Sequence, residues 1–333
     1  MKTIRLCLAL QLFALVAVAQ EQRFANIGDL KLQNGGVIRS CRVGYRTFGK
    51  LAADKSNVIV FPTWASGTTD QLKGSIGPGR LIDSSTYFVV AIDALANGVS
   101  SSPSNSRLQP RMRFPKFTLR DTVESQHRLL TQVLKIDRAK AIVGISMGGM
   151  QVFQWLVTYP NFMEKAIPIV GTPRPAPYDV MHWHAQIEAL MRDRDWRGGN
   201  YLVNPSRALD FAFGEILLTT PTDYNRRKTR EQVLADLAKA QHEKRFDAND
   251  KIRQVQAMLE LDVSRESGAV KAKVFVVVAK FDHVVTPGPA TEFATLIGAK
   301  LLSLDGDCGH LATACESQRL NKAVADFLAA DER

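Results

Sequence analysis

Beyond its first twenty residues this sequence has no apolar run long enough to cross a bilayer, which takes about 20 consecutive apolar residues. Cysteine is scarce, 4 in 333 residues, and no Cys-x-x-Cys or His-x-x-x-His spacing occurs, so neither a disulfide scaffold nor a zinc motif is indicated. Gly (22) and Pro (14) are not enriched, which excludes collagen-like and low-complexity chains. The net charge of +10 comes from Lys and Arg scattered along the chain. A nucleic-acid surface would gather them into a stripe, so no nucleic-acid partner is expected. No internal repeat or linker-like stretch is present. What remains is a globular composition, 45% hydrophobic and 23% charged, long enough for one large domain or two ordinary ones. A chain of this length buries most of its unfolded surface without covalent staples.

The first residues differ from the rest. Lys2 and Arg5 precede an apolar run over 6–18, which ends in the small-x-small triplet Ala17-Val18-Ala19. That is the layout of a secretory signal peptide over 1–19, with export to the periplasm or the medium as the expected outcome. Cys7 lies inside the run, so a lipoprotein anchor is not indicated. Cleavage would leave Cys41, Cys308 and Cys315. An oxidising compartment permits disulfides. Cys308 and Cys315 are close in sequence and flank His310, which makes them the expected pair, with two buried free thiols the equal alternative.

Short β-branched runs alternate with helical patterns over the rest of the chain. Strands are expected at 58–61, 87–92, 141–143, 166–170, 274–279 and 301–304, and helices at 121–134 and 147–158. Strands apolar on both faces, alternating with helices, give an α/β fold with a mostly parallel sheet. Residues 173–268 break the rhythm. They open with Thr172-Pro173-Arg174-Pro175-Ala176-Pro177 and are helical in period, as at 231–240. They read as a helical cap inserted into a core made of 20–172 and 269–333, placed where it would cover a site at the strands' carboxyl ends.

Ala141-Ile142-Val143-Gly144-Ile145-Ser146-Met147-Gly148-Gly149-Met150 holds Gly-x-Ser-x-Gly directly after a strand and before a helix. A nucleophilic serine needs this tight turn, and small neighbours let strand and helix approach closely. Its hydroxyl also needs a base, and the base an orienting acid, in the chain order Ser, Asp or Glu, His. Asp282 follows the 274–279 strand, and His310 lies in a Gly-containing loop after the last strand. Ser146, Asp282 and His310 are therefore the expected triad, with Asp307 and His283 as weaker competitors for acid and base. Two backbone N–H groups should hold the oxyanion: that of Met147, and one from the loop after 58–61, where Pro62 has none and Thr63 or Trp64 must serve. His182 and His184 form a His-x-His in the cap. Without a third ligand nearby they are read as a solvated helix face rather than a metal site. Arg174, Arg192, Arg194 and Arg197 crowd the start of the cap and are read likewise as a solvated basic face, with an anionic substrate as the other option.

Several stretches together resemble the homoserine O-acetyltransferase family of α/β-hydrolase-fold enzymes. They are Tyr45-Arg46-Thr47-Phe48-Gly49-Lys50-Leu51, then Phe114-Pro115 with Thr118-Leu119-Arg120-Asp121-Thr122-Val123 and Gln126. The most specific match is Ser146-Met147-Gly148-Gly149-Met150-Gln151 with Trp155. Asp193, Trp196, Gly199, Tyr201 and Phe246-Asp247-Ala248-Asn249-Asp250 match more loosely. The resemblance implies the α/β-hydrolase fold, an acyl-carrying Ser146 served by Asp282 and His310, and oxyanion donors at Met147 and Trp64. It implies no cofactor. The partners would be a small ester, thioester or alcohol, with acetyl-CoA an option as acyl donor, and a homodimer is compatible with it. The chain departs from the family where Leu218-Thr219 runs into Thr220-Pro221-Thr222 instead of a Tyr-Arg-Ser run. It departs again at Pro62-Thr63-Trp64 in place of His-Ala-Leu, and at Leu311 in place of Asp. These positions bear on which acceptor takes the acyl group, an alcohol or water.

Overall fold

The computed structural model describes residues 21–205, 214, 216–240 and 246–330, so the expected signal segment lies outside the described residues. Among the described residues ten strands are formed: β1 (Arg23–Asn26), β2 (Leu30–Lys31), β3 (Val37–Ile38), β4 (Arg42–Phe48), β5 (Val58–Pro62), β6 (Phe88–Ile92), β7 (Ala139–Ile145), β8 (Met163–Ile169), β9 (Lys273–Ala279) and β10 (Lys300–Leu304). Eight of them make one sheet in the order β1-β4-β6-β5-β7-β8-β9-β10. From β6 to β10 every pair is parallel, while β4 and β1 extend the sheet antiparallel at one edge. This is the mostly parallel α/β sheet expected from the alternation of elements, and the α/β-hydrolase fold that the resemblance implies.

β5 shows why this sheet forms. Val58 and Val60 face one apolar cluster with Phe153 and Trp155, and Ile59 and Phe61 face the other with Leu320 and Val324. A strand that is apolar at every position can only sit between two helical layers. The longer helices are α1 (Leu119–Arg128), α2 (Met147–Thr158), α3 (Pro177–Arg192), α4 (Pro221–Arg227), α5 (Arg230–Ala240), α6 (Ala248–Leu259), α7 (Gly288–Leu296) and α8 (Ser317–Ala329). Of these, α1, α2, α7 and α8 supply the two clusters beside the sheet with residues such as Val123, Phe153, Phe293 and Leu320. Helices α3 to α6 all lie between β8 and β9, in the segment we call the cap.

Most expected elements shift by a residue or so, the strand expected over 141–143 runs Ala139–Ile145, and two others differ in kind or extent. The helix expected over 121–134 ends at Arg128 and continues as a wider turn over Leu129–Val133. Its start is fixed by Thr118, whose hydroxyl accepts from the Asp121 N–H, while Asp121 accepts in return from the Thr118 N–H. The strand expected over 166–170 begins three residues earlier and stops at Ile169, because Val170 turns to φ 41°.

Candidate active site

Four loops meet at the carboxyl ends of β5, β7, β9 and β10, where an open parallel sheet places its ligands. The β7–α2 junction is the tightest. Ser146 has φ 56° and ψ −123°, a conformation that an L-residue holds only where its surroundings enforce it. The glycines around it permit that approach. A Cβ on Gly144 would lie 2.2 Å from the Gly148 carbonyl oxygen, and one on Gly148 would lie 2.8 Å from that of Pro62. The turn lifts the Ser146 hydroxyl over the start of α2, whose first N–H groups have no intrahelical partner.

His310 stands above Ser146. Its Nδ1 lies 2.6 Å from Asp282 Oδ2 and its Nε2 lies 2.9 Å from Ser146 Oγ. A carboxylate only accepts, so Nδ1 carries the proton and Nε2 of the neutral ring is free to accept from the hydroxyl. Asp282 is fixed in turn, since its Oδ1 accepts from the N–H groups of Val284 (2.8 Å) and Val285 (3.0 Å). All three residues are buried. The two competitors stand elsewhere: His283 makes no hydrogen bond to Ser146 or Asp282 among the described residues, and the Asp307 carboxylate pairs with Arg226.

Of the two candidates after β5, the Thr63 N–H is spent on the Ile92 carbonyl at 3.0 Å, which leaves that of Trp64. The Thr63 carbonyl, in the same peptide unit as the Trp64 N–H, accepts from Gln151 Nε2 at 3.0 Å. Because a trans peptide is planar, with its C=O and N–H opposed, anchoring that oxygen aims the Trp64 N–H the other way. The same Gln151 nitrogen donates to the Met147 carbonyl at 3.0 Å. Gln151 is held by Gln126 Nε2 (2.6 Å), and Gln126 by Trp155 Nε1 (2.9 Å). Gln126, Gln151 and Trp155 are fully enclosed, so each polar atom must find a partner inside the protein, which makes the chain rigid. The signal was present in the sequence as two glutamines among apolar helix positions, but their contacts, 25 and 88 residues apart, were not.

The cap reaches the same loops. His182 is buried, not solvated as its spacing suggested: Nε2 donates to the Val284 carbonyl (3.1 Å), and Nδ1 accepts from Gln186 (3.4 Å). Asp179, one helical turn earlier, accepts from the Thr286 N–H at 3.1 Å. Burial pushes the Asp179 carboxyl up and the His182 imidazole down from their ordinary values. His184 is exposed as expected. Arg174 and Arg192 pair with Glu292 and Glu188. Cys308 and Cys315 form a disulfide on either side of His310, and Cys41 is a buried free thiol, which burial pushes up to about 12.

Ser146 and His310 open into a cavity of about 720 Å³, a size suited to a small organic ligand. Its walls are largely apolar, with Trp64, Leu81, Leu218, Val284 and Leu311 among them, and Arg80 and Asn321 supply polar groups.

The model of the family described as alpha/beta hydrolase fold matches residues 58–313. A probable esterase of Corynebacterium glutamicum is 33% identical over 310 residues, covering 86% of this chain and 88% of its own. A homoserine O-acetyltransferase of Chlorobaculum tepidum is also 33% identical, over 335 residues that cover 92% of this chain and 94% of its own. Among solved structures, an acetylester hydrolase from Corynebacterium glutamicum superposes with a TM-score of 0.85 at 29% identity, over 93% of this chain and 96% of that one. The chain belongs to the alpha/beta hydrolase fold family and, like relatives named both esterase and homoserine O-acetyltransferase, is an enzyme of that family.

Proposed function

We propose that the chain is an exported serine hydrolase of small esters that works through an acyl-enzyme on Ser146. The observation that carries this reading is the continuous hydrogen-bond chain from Asp282 through His310 to Ser146 at 2.6 and 2.9 Å. In the first half-reaction Ser146 Oγ attacks the ester carbonyl while His310 Nε2 takes its proton. The oxyanion that forms is held by the N–H groups of Met147 and Trp64. His310, now charged and paired with Asp282, returns the proton to the departing alcohol. In the second half-reaction it activates water in the same way, and the acid leaves.

Water is the acceptor this site favours. Leu218 and Leu311 present apolar side chains to the cavity, and the Thr219 and Thr220 hydroxyls turn toward Asp223 and Asp307. Among the described residues lining the cavity on this side, these apolar side chains suit the acyl and alcohol portions of a small neutral ester. The likeness to an acetylester hydrolase makes acetyl esters the first substrates to try. The N-terminal pattern of 1–19 and the Cys308–Cys315 disulfide both fit an oxidising compartment, away from acetyl-CoA. The test is product analysis with p-nitrophenyl acetate or acetyl-CoA as donor, with and without L-homoserine. Free acetate at a rate indifferent to homoserine, and lost in Ser146→Ala, is the expected result. O-acetylhomoserine as the main product would overturn hydrolysis in favour of transfer.

A further inference from the structure

The loop that carries His310 leaves β10, the edge strand beside β9 among the described residues, so the sheet supports it from one side. The other support comes from the cap. Asp223 on α4 is buried and accepts from the Thr219 hydroxyl, from Arg226 Nη2 (2.9 Å) and from Arg227 Nε (2.8 Å). The Thr219 hydroxyl and the two arginines hold its carboxyl below the usual carboxylate range despite the burial. Arg226 reaches onward to Asp307 with both prongs, Nη2 to Oδ1 at 2.9 Å and Nη1 to Oδ2 at 3.2 Å. Thr220, which caps α4 by accepting from the Asp223 N–H (3.1 Å), donates its hydroxyl to the Asp307 carbonyl.

Asp307 lies three residues before His310, and Gly309 between them has φ +61°. A Cβ there would meet Thr219 Cα at 3.0 Å, so cap and loop backbones are in direct contact. An isolated surface ion pair contributes little. This one is bidentate, one of its carboxylates is buried, and a backbone contact lies beside it. Asp223, Asp307 and Cys308 stand close enough to share an ion, but the carboxylates are taken by arginines and the sulfur by the disulfide.

We infer that the cap sets the position of His310 through the Asp223–Arg226–Asp307 chain, with Arg226 and Asp223 as positioning residues. The inference rests on the hydrolytic role of His310 proposed above. Displacing a base by about 1 Å can cost on the order of 100-fold, and the disulfide and Gly309 contact would limit the displacement, so we expect a loss of about tenfold.

The test uses the mature chain with Arg226→Gln, Arg226→Lys and the shape-conserving Asp307→Asn. Two readouts are taken: kcat and KM for p-nitrophenyl acetate, and the low-field proton resonance of the His310 Nδ1–H bonded to Asp282. In Arg226→Gln, kcat should fall about tenfold with KM nearly unchanged, and the resonance should broaden. Arg226→Lys should recover part of both, and Asp307→Asn should match the loss, which also decides the matter if Arg226→Gln does not fold. Unchanged kcat, or a loss of kcat with the resonance intact, overturns the inference. A wild-type chain inactive on esters, whose resonance still depends on Arg226, would remove the hydrolytic reading and leave the clasp standing.

Discussion

In α2 every residue from Met147 to Val157 is buried, whereas α5 of the cap buries only Ala240 among its eleven residues. The contrast is one of degree, since α6 of the cap buries nine of its twelve residues. β5 is enclosed on both faces, while the cap leaves Met181, Ile216 and Leu234 largely exposed. The sheet holds Ser146 by packing, at a junction where single glycines decide whether strand and helix can touch. The cap holds the loops after β9 and β10 by polar bonds, from Asp179, His182 and Arg226 to the turns that carry Asp282 and His310. Packing is cooperative and intolerant of change, and polar ties across a partly exposed seam are graded. Substitutions in the sheet's loops should therefore abolish turnover, and those in the cap should tune it.

A Ser146→Ala variant that retained activity would contradict this division between sheet and cap. We expect turnover to fall by about 10⁴-fold or more, with circular dichroism and melting temperature close to wild type, because one buried oxygen is removed and no packing. Asp282→Asn should cost on the order of 10⁴-fold by favouring the wrong tautomer of His310. Kinetics on p-nitrophenyl acetate decide both.

Next in size is Gln151→Met, which keeps the shape and removes the donor on the Thr63 carbonyl. Losing one oxyanion donor outright costs about 10²–10³-fold. Loosening one should cost about tenfold, in kcat rather than KM. A fall confined to KM would mean that Gln151 shapes substrate binding and leaves the Trp64 N–H alone.

What could be read from the sequence follows the same division. That Ser146, Asp282 and His310 would meet was legible because each is tied to a local pattern: a glycine-framed turn, a strand end, a loop before the last helix. The buried parallel strands were legible because they are apolar throughout. β1 escaped because three of its four residues are exposed, and β4, touched only through the resemblance at 45–51, because Arg42 and Arg46 interrupt its mostly buried positions. The bonds that hold the loops after β9 and β10 were also beyond reach. His182 finds Val284 across 102 residues and Arg226 finds Asp307 across 81, and no local period encodes such pairs. His182 was misjudged for that reason, since its partner is a backbone carbonyl that leaves no trace in composition.

Leu218 sharpens the comparison from the cap side, because it lines the cavity without bonding to the reacting groups. Leu218→Ala should leave p-nitrophenyl acetate hydrolysis within a few fold. The ratio of butyrate to acetate ester turnover should rise by about tenfold, the size of a methylene-scale change in an apolar pocket. An equal loss on both esters would place Leu218 among the groups that position His310.

Asp250 should have the smallest effect on turnover, yet it shows how the cap is tied to the sheet. It sits on α6, fully buried, and accepts from the Ser104 N–H at 2.9 Å. Burial, then the Asp247 charge, pushes its carboxyl up to about 8. In the unfolded chain it titrates near 3.8. Between those values the native state binds the extra proton, so the stability this group contributes is complete below about pH 4. It is lost as pH rises toward 8, by at most about 1.4 kcal/mol per pH unit. Asn mimics the protonated acid and never ionises. Asp250→Asn should therefore match wild type in denaturant stability near pH 4 and gain on it steadily up to pH 8, with ester turnover unchanged. A stability difference independent of pH would show that Asp250 is ionised in the native protein, and that the seam between α6 and the 97–105 loop is wet rather than dry.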